Sequence, residues 1–240
     1  MGSSEPIVSM RGVRKRFGIK VIFDELDLDI YPGGIIGLIG DNGAGKTTLF
    51  NHMVGLYLPD RGSCVTMGKE ARELESAEFE RIGYVQQENK YPKWLDAGQM
   101  IRYVRSHYAN WNCQLEEAFV DNFEINRGQR IETMSVGQRQ RLSILLGVCF
   151  EPDLLLLDEP VNALDAAARS EIYELLLELL TEDAGRTIIV SSHILADIEK
   201  VVDRMVIMKD GKILRHCGLD ELRESFCRVR LESADGDLPE

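Results

Sequence analysis

The 240-residue sequence predicts an α/β fold built around a parallel sheet. Short runs that are apolar on both faces alternate along the chain with segments of helical periodicity, a pattern typical of parallel sheets covered by helices. The composition, with 44% hydrophobic and 28% charged residues, is that of a globular chain. A hydrophobic core is therefore expected on both sides of the sheet.

The first predicted elements lie before residue 57. Residues 7–10 and 26–30 alternate between apolar and polar side chains, which predicts two half-buried strands of an N-terminal antiparallel β subdomain. Residues 35–39 are apolar on both faces and predict a buried strand of the parallel sheet. A helix is expected over 46–56, ending near Gly55.

The later elements surround a predominantly helical segment. Residues 88–146 predict a helical subdomain inserted in the α/β body, and two more buried strands are expected at 154–157 and 187–191. Residues 166–180 predict the helix between them, with one apolar stripe. Asp210-Gly211 predicts a tight hairpin turn, because such turns need positive φ.

A single domain is expected over residues 5–225. The acidic tail at 226–240 is either disordered or the start of a C-terminal extension that this chain does not complete. The apolar runs are far shorter than the ~20 residues that cross a bilayer, and residues 1–6 lack the features of a signal peptide. The five cysteines contain no C-x-x-C pair, which suits a reducing compartment. A cytoplasmic location is therefore expected.

The charge balance disfavours nucleic acid as a partner. Lys and Arg number 28 against 40 Asp and Glu, a formal net charge of −12. Proteins that bind duplex DNA neutralise its phosphates with Lys and Arg. No nucleic acid is therefore expected to bind this chain.

A glycine-rich phosphate loop (residues 40–47) follows the predicted strand at 35–39. It reads Gly-Asp-Asn-Gly-Ala-Gly-Lys-Thr and matches G-x-x-x-x-G-K-[ST] directly before a helix. Glycines let successive N–H groups curl around a phosphate, and the helix N-terminus adds partial positive charge. Lys46 is expected to reach the β- and γ-phosphates, and the Thr47 hydroxyl to coordinate Mg²⁺. The residues expected to bind the nucleotide here are Asn42, Gly43, Gly45, Lys46, Thr47 and Thr48.

Two adjacent acidic residues follow the buried strand at 154–157. Asp158 is expected at the same sheet edge as the phosphate loop, where its carboxylate holds Mg²⁺ through water. Glu159 lies one residue past the strand end and is expected to act as general base toward the attacking water. Together with the phosphate loop, this pair predicts a nucleotide hydrolase and leaves its kind open.

The signature segment (residues 134–138), Met-Ser-Val-Gly-Gln, resembles the signature motif of ATP-binding cassette (ABC) ATPases, usually written L-S-G-G-Q. Ser135, Gly137 and Gln138 thereby become nucleotide-binding candidates at a helix N-terminus. The resemblance implies a P-loop NTPase with a RecA-like parallel sheet, with ATP and Mg²⁺ as cofactors. It also implies a head-to-tail dimer with a second copy, in which each signature segment closes on the γ-phosphate held by the other.

Four further segments resemble motifs of this family, in the family's order. The resemblance makes Gln87 a sensor of Mg²⁺ and attacking water, and His193 a donor to the γ-phosphate. It places Asp165 at the dimer interface and stacks Phe17 on adenine. Taken singly, Phe17 also fits a core position and His193 a structural one. The expected catalytic residues are therefore Glu159, His193 and Gln87, and the expected metal-site residues are Thr47, Gln87 and Asp158.

The signature segment departs from the family pattern at two positions. Val136 stands where Gly is usual and Met134 where Leu is usual, while Ser135 and Gly137 are retained. A β-branched Val restricts the backbone where a nucleotide must approach, so weaker ATP affinity or slower dimer closure is one expected consequence. No catalytic group is lost, and hydrolysis is expected to survive.

The resemblance leaves two classes of function open. The chain is either the ATPase subunit of a transporter, peripheral on the cytoplasmic face and coupled to integral membrane permease subunits, or a soluble ABC ATPase acting on nucleic acid or ribosomes. Only one cassette is present, and the stretch between Thr47 and Met134 carries no sustained heptads, which favours the transporter. The short helical segment and residues 218–224 resemble the antibiotic and drug efflux branch, so export is expected and import is the alternative.

Four aromatic residues stand out in the predicted helical segment. They either line the groove that receives a membrane subunit or form this segment's own core. The four residues are Trp94, Tyr103, Tyr108 and Trp111.

Overall fold

In the computed structural model, residues 5–87, 90–162, 164, 166–182 and 185–225 are described. Asp165 and the acidic tail predicted at 226–240 lie outside the described residues. Ten strands and eight α-helices are found in the described part. The strands are β1 (Val8–Phe17), β2 (Lys20–Ile30), β3 (Gly34–Ile39), β4 (Arg61–Thr66), β5 (Lys69–Glu70), β6 (Ile82–Val85), β7 (Leu154–Leu157), β8 (Thr187–Ser192), β9 (Arg204–Lys209) and β10 (Lys212–Gly218). The helices are α1 (Lys46–Met53), α2 (Ser76–Phe79), α3 (Ala97–Arg105), α4 (Cys113–Asn122), α5 (Val136–Val148), α6 (Ala166–Glu182), α7 (Leu195–Ile198) and α8 (Leu219–Ser225).

The strands form two sheets. One is antiparallel with the order β2-β1-β4-β5, and the other has the order β10-β9-β3-β8-β7-β6. All pairs of the six-stranded sheet are parallel except β10–β9, which is a hairpin. The predicted α/β class, with a parallel sheet and an N-terminal antiparallel sheet, is confirmed.

The central strands β3, β8 and β7 of the six-stranded sheet are buried on both faces, as their apolar sequences predicted. In β7, Leu154 and Leu156 pack into one hydrophobic cluster with α1 and the antiparallel sheet, while Leu155 and Leu157 pack into another with α5 and α6. All four leucines are fully buried. Successive side chains of a strand point to opposite faces, so this one strand contributes to both cores.

Strands β4 and β6 were not predicted, for two different reasons. β4 is exposed over its first two residues, Arg61 and Gly62, so it lacks a clean apolar alternation. β6 contains Gly83 in its interior, and glycine is unfavourable within a strand. A Cβ on Gly83 would stand 2.6 Å from the Gly147 carbonyl oxygen, so this glycine permits α5 to pack closely on the sheet.

Helices α3–α5 lie within or just beyond the segment predicted as a helical subdomain. The boundaries at 88 and 146 stay a prediction, since α5 continues to Val148 and contacts β6 of the sheet. None of the described helices is long and apolar enough to cross a membrane.

Both turns predicted from glycine are present. Asp210 and Gly211 have φ of 48° and 73°, as a tight turn between β9 and β10 requires. Helix α1 stops at Met53, slightly earlier than the predicted end, and Gly55 follows with φ of 70°.

Candidate functional site

The phosphate loop leaves β3 and turns sharply into α1 at Lys46. Gly45 has φ of 110°, and a Cβ there would stand 2.8 Å from the ring of Phe23, so both conformation and space require glycine. Lys46 is only 6% exposed, and its ammonium donates to the carbonyl oxygens of Gly40 at 2.6 Å and Asp41 at 3.3 Å. The loop thus folds around its own lysine.

A cavity of about 210 Å³, here called the loop cavity, opens in front of this turn. It brings together residues that are far apart in sequence, since Gln87 follows β6 and Glu159 follows β7. Of the residues predicted to form the site, it is lined by Asn42, Gly43, Gly45, Lys46, Thr47, Thr48, Gln87 and Glu159. Lys20 and Ile22 of β2 also line it and were not predicted, because they reach it only through the pairing of β2 in the other sheet.

Asp158 lies at the end of β7, against the start of α1. Its Oδ2 accepts a hydrogen bond from the Thr47 hydroxyl at 2.6 Å, and its Oδ1 accepts one from the Ser191 hydroxyl at 2.7 Å. Burial raises the pKa of Asp158, while the two hydroxyl donors act in the opposite direction. Ser191 was not predicted as a site residue, although it is the first residue of the Ser191-Ser192-His193 segment that carries the predicted His193.

Glu159 is clamped between two basic side chains. Its Oε1 lies 3.1 Å from the Lys46 ammonium, and its Oε2 lies 2.9 Å from His193 Nδ1. The carboxylate is buried, and the Glu159 backbone N–H donates to the Ser191 hydroxyl oxygen at 2.9 Å. A φ of 50° turns Glu159 out of the strand direction, a conformation rare for a residue with a side chain. The predicted base is therefore held in one position within the chain.

The donor set beside Thr47 fits Mg²⁺. The Thr47 hydroxyl and the Asp158 carboxylate are in contact, and Gln87 lines the same cavity. Hydroxyl, carboxylate and amide oxygens are the ligands that Mg²⁺ prefers, usually together with water and substrate phosphate.

Phe17 lies at the end of β1 and is 45% exposed, so it is not a core residue. Its ring meets that of Tyr57 edge-on at 5.2 Å, and the Lys15 ammonium lies 5.4 Å from its centroid. Tyr57 follows α1 and was not predicted to contribute. An exposed ring supported from one side offers a flat face for stacking.

The signature segment forms the N-terminus of α5. Ser135 is the N-cap, and its hydroxyl accepts from the Gln138 N–H at 3.1 Å, while the Gln138 side chain accepts from the Ser135 N–H at 2.8 Å. Gln129 also donates to the Gln138 side chain at 3.3 Å. These contacts fix the start of α5.

The signature segment lies apart from the loop cavity of its own chain. The described residues that line the loop cavity include none of Ser135, Gly137 and Gln138. Ser135 is exposed, and Val136 is 58% exposed. The residues predicted to bind phosphate therefore fall into two groups, and in the described part of the chain only the group of the phosphate loop lines this cavity. The predicted interface residue Asp165 lies outside the described residues.

Comparisons with known proteins agree with these features. The family described as "ABC transporter" matches residues 23–162. An uncharacterized ABC transporter ATP-binding protein of Bacillus subtilis, YdbJ, is 32% identical, covering 88% of this chain and 68% of its own. The Nod factor export ATP-binding protein I of Cupriavidus metallidurans is 31% identical, covering 96% and 77%.

A solved structure has the same fold. It is described as the ATP-binding subunit of an ABC transporter and superposes with a TM-score of 0.81. The match covers 91% of this chain and 92% of that one at 24% identity.

Proposed function

Because the chain belongs to the ABC transporter family and is an ATP hydrolase and ATP-binding subunit of that family, we propose that it drives substrate export through separate membrane subunits. One ABC ATPase domain over residues 5–225 would bind and hydrolyse the ATP that drives transport. The similarity to the Nod factor export ATP-binding protein I supports the direction, and the separation of the phosphate loop from the signature segment supports a site shared by two copies.

The ion pair between Lys46 and Glu159 defines the first step. Without a nucleotide, the buried Lys46 ammonium is neutralised by Glu159 at 3.1 Å. A bound ATP offers its β- and γ-phosphates to Lys46, which exchanges one anion for another. Glu159 then loses its ion pair with Lys46, keeps its hydrogen bond to His193, and becomes available as a base beside the γ-phosphate.

The chemical step follows from this exchange. Glu159 accepts a proton from the attacking water, whose oxygen bonds to the γ-phosphorus as the bond to the bridging oxygen of ADP breaks. His193, hydrogen-bonded to Glu159 at 2.9 Å, positions that carboxylate and donates toward the γ-phosphate. Thr47, Asp158 and Gln87 would hold Mg²⁺, which neutralises charge on the phosphates when bound. Phe17 stacks on the adenine.

The signature segment supplies the second half of the site in a head-to-tail dimer. Ser135 and Gly137 sit at the N-terminus of a 13-residue helix, where an anion is stabilised. Since this end lies outside its own loop cavity, the anion comes from a second copy of the chain. ATP would join the two copies, and hydrolysis would separate them, which moves the attached membrane subunits.

Two of the four conspicuous aromatic residues support a membrane-subunit contact. Trp94 is 75% exposed and Tyr103 is exposed as well. Tyr108 instead stacks on Phe150 at 3.9 Å, and the Trp111 indole donates to Glu116 at 2.7 Å, so these two belong to the subdomain's own packing. We therefore assign Trp94 and Tyr103 to the surface that contacts the membrane subunit.

Purification from membranes tests the partner. The chain should co-purify with an integral membrane protein, and Trp94→Ala should reduce that yield while leaving the ATPase rate of the isolated chain unchanged. Recovery of ribosomes without a membrane protein would replace the transporter with a soluble ABC ATPase.

Transport by the reconstituted complex tests the direction. In inside-out vesicles, ATP added outside should drive the substrate of the identified membrane subunits into the lumen. ATP-dependent movement out of the lumen would make the complex an importer.

A further inference from the structure

A second cavity, of about 640 Å³, lies next to the loop cavity. We call it the α5 cavity because Val136, Arg139 and Gln140 of that helix form one wall. Gln87 lines both cavities. In the proposed function Gln87 stands beside the γ-phosphate, so the α5 cavity begins where the cleaved phosphate is released.

The helix wall contains a buried donor without an acceptor. Gln140 is 6% exposed, and its Nε2 has no hydrogen-bond partner among the residues that the structure describes. Val136, Arg139 and Gln140 are spaced i, i+3 and i+4, which puts them on one helix face. A buried donor left unpaired is unfavourable, and an acceptor that enters the cavity relieves this cost.

The charges around the cavity favour an anion. Lys90, Lys93 and Arg139 line it against one carboxylate, that of Glu132, among the described lining residues. Glu132 is itself paired with Arg130 at 3.4 Å. This local excess of positive charge contrasts with the net charge of −12 of the whole chain.

The opposite wall is anchored on α5. Tyr91 packs against the hydrophobic cluster, and its hydroxyl lies against Ser143, one turn beyond Gln140. The segment carrying Lys90 and Lys93 is thereby held over the helix face that carries Gln140. The cavity thus has hydrogen-bond donors on both of its walls.

We propose that the α5 cavity is a second anion site that receives the inorganic phosphate released by hydrolysis, on the far side of Gln87 from the nucleotide. This inference rests on the proposed ATP hydrolysis and adds a route for the product. Phosphate offers four oxygens that accept from Gln140, the lysines and Arg139, and its negative charge is opposite in sign to that of these basic side chains. Binding in the α5 cavity slows both the return of phosphate to the loop cavity and its release to solvent. Product inhibition by phosphate therefore depends on this cavity.

Inhibition of the ATPase by added phosphate tests the route. In Lys93→Gln and in Gln140→Leu, the inhibition constant for phosphate should rise about fivefold, as expected for one lost charge-assisted contact, while that for ADP stays unchanged. Lys93 is exposed, so its variant folds even if Gln140→Leu does not. Lys212→Gln, an exposed lysine on β10, is the matched control and should behave as wild type.

Direct binding separates this inference from the proposed function. Calorimetric titration of the ADP-loaded chain with inorganic phosphate should show one site that Lys93→Gln weakens, with chloride at equal ionic strength giving no heat. A wild-type chain that hydrolyses no ATP would overturn the proposed function. If hydrolysis is normal but phosphate inhibition and phosphate binding are unchanged in Lys93→Gln, the phosphate site is overturned. The same result is expected if the cavity instead binds an acidic side chain of a membrane subunit.

Discussion

The two predicted anion-binding elements of this chain differ in how many partners their own chain provides for them. At the phosphate loop, Lys46 and Glu159 are buried and paired with each other. At the signature segment, Ser135 and Val136 are exposed, and the cap contacts are all within residues 129–138. In the proposed mechanism, the loop side therefore exchanges an internal partner for the nucleotide, whereas the signature side binds a ligand held by a second copy of the chain.

This difference assigns separate roles to the two halves. A buried ion pair that loses one partner leaves an uncompensated charge, which is costly. In the proposed mechanism, the Lys46–Glu159 pair thus occupies the carboxylate until a phosphate replaces it at Lys46. An exposed helix N-terminus carries no such constraint and can close on a ligand held by another molecule. Variants of each half should therefore fail in different ways.

The largest effect is expected at the catalytic carboxylate. Glu159→Gln should lower turnover about 100- to 10,000-fold, because the amide cannot accept the proton of the attacking water. ATP binding should persist, since Lys46 still reaches the phosphates. Steady-state ATPase rates and nucleotide titration measure the two quantities. Glu171→Gln, at an exposed position of α6, is the control and should keep the wild-type rate. Equal rates in Glu159→Gln and wild type would remove Glu159 from the mechanism.

A smaller effect is expected at Phe17, which is proposed to stack on the adenine. Phe17→Ala should raise the KM for ATP about 5- to 100-fold, since stacking on a base contributes about 1–3 kcal/mol. The turnover number should change little, because this contact is the same in the ground state and the transition state.

Phe79→Ala is the matched control for Phe17. Phe79 is an aromatic of similar exposure at the end of α2, a helix that contains no predicted site residue. A KM that rises equally in both variants would show a general loss of stability rather than lost stacking.

The smallest effect concerns the support beneath the phosphate loop. His52 of α1 is fully buried, its Nδ1 bonds the Thr48 carbonyl oxygen at 2.7 Å, and burial lowers its pKa below the usual 6.5. Below pH 6.5 the unfolded chain therefore binds more protons than the folded one, and stability falls as the pH drops toward the folded pKa. His52→Phe should show a shallower fall in denaturant midpoint between pH 7 and pH 5.

The pH dependence should not vanish in His52→Phe. Burial also lowers the pKa of His216, which acts in the same direction. A slope identical to that of wild type would mean that His52 is not held neutral beneath the loop.

Contiguous motifs were predictable from the sequence, and contacts between motifs were not. Residues 40–47 form one local turn whose glycines and lysine determine its shape, so the loop was located residue by residue. The ion pair between Lys46 and Glu159 depends on the neighbouring ends of β3, β8 and β7, which no local pattern encodes. Lys20 and Tyr57 were not predicted for the same reason, because only packing brings Lys20 to the loop cavity and Tyr57 to the ring of Phe17.

Two strands could not be predicted because their local pattern is weak. Strands β4 and β6 carry polar residues or glycine in place of a clean apolar alternation. The four aromatics of the helical segment had two open interpretations, and the structure supports the packing interpretation for Tyr108 and Trp111 but not for the exposed Trp94 and Tyr103. Side-chain burial depends on neighbours that are distant in sequence, which is why composition alone left this question open.

Mixing two inactive variants tests the division of the site most directly. Lys46→Ala destroys the loop half, and Ser135→Arg blocks the signature half, so each variant alone should be inactive. In a head-to-tail dimer of one copy of each, one composite site has both defects and the other has none. Random assortment then restores up to about a quarter of the wild-type ATPase rate. A mixture that stays as inactive as its components would contradict the composite site.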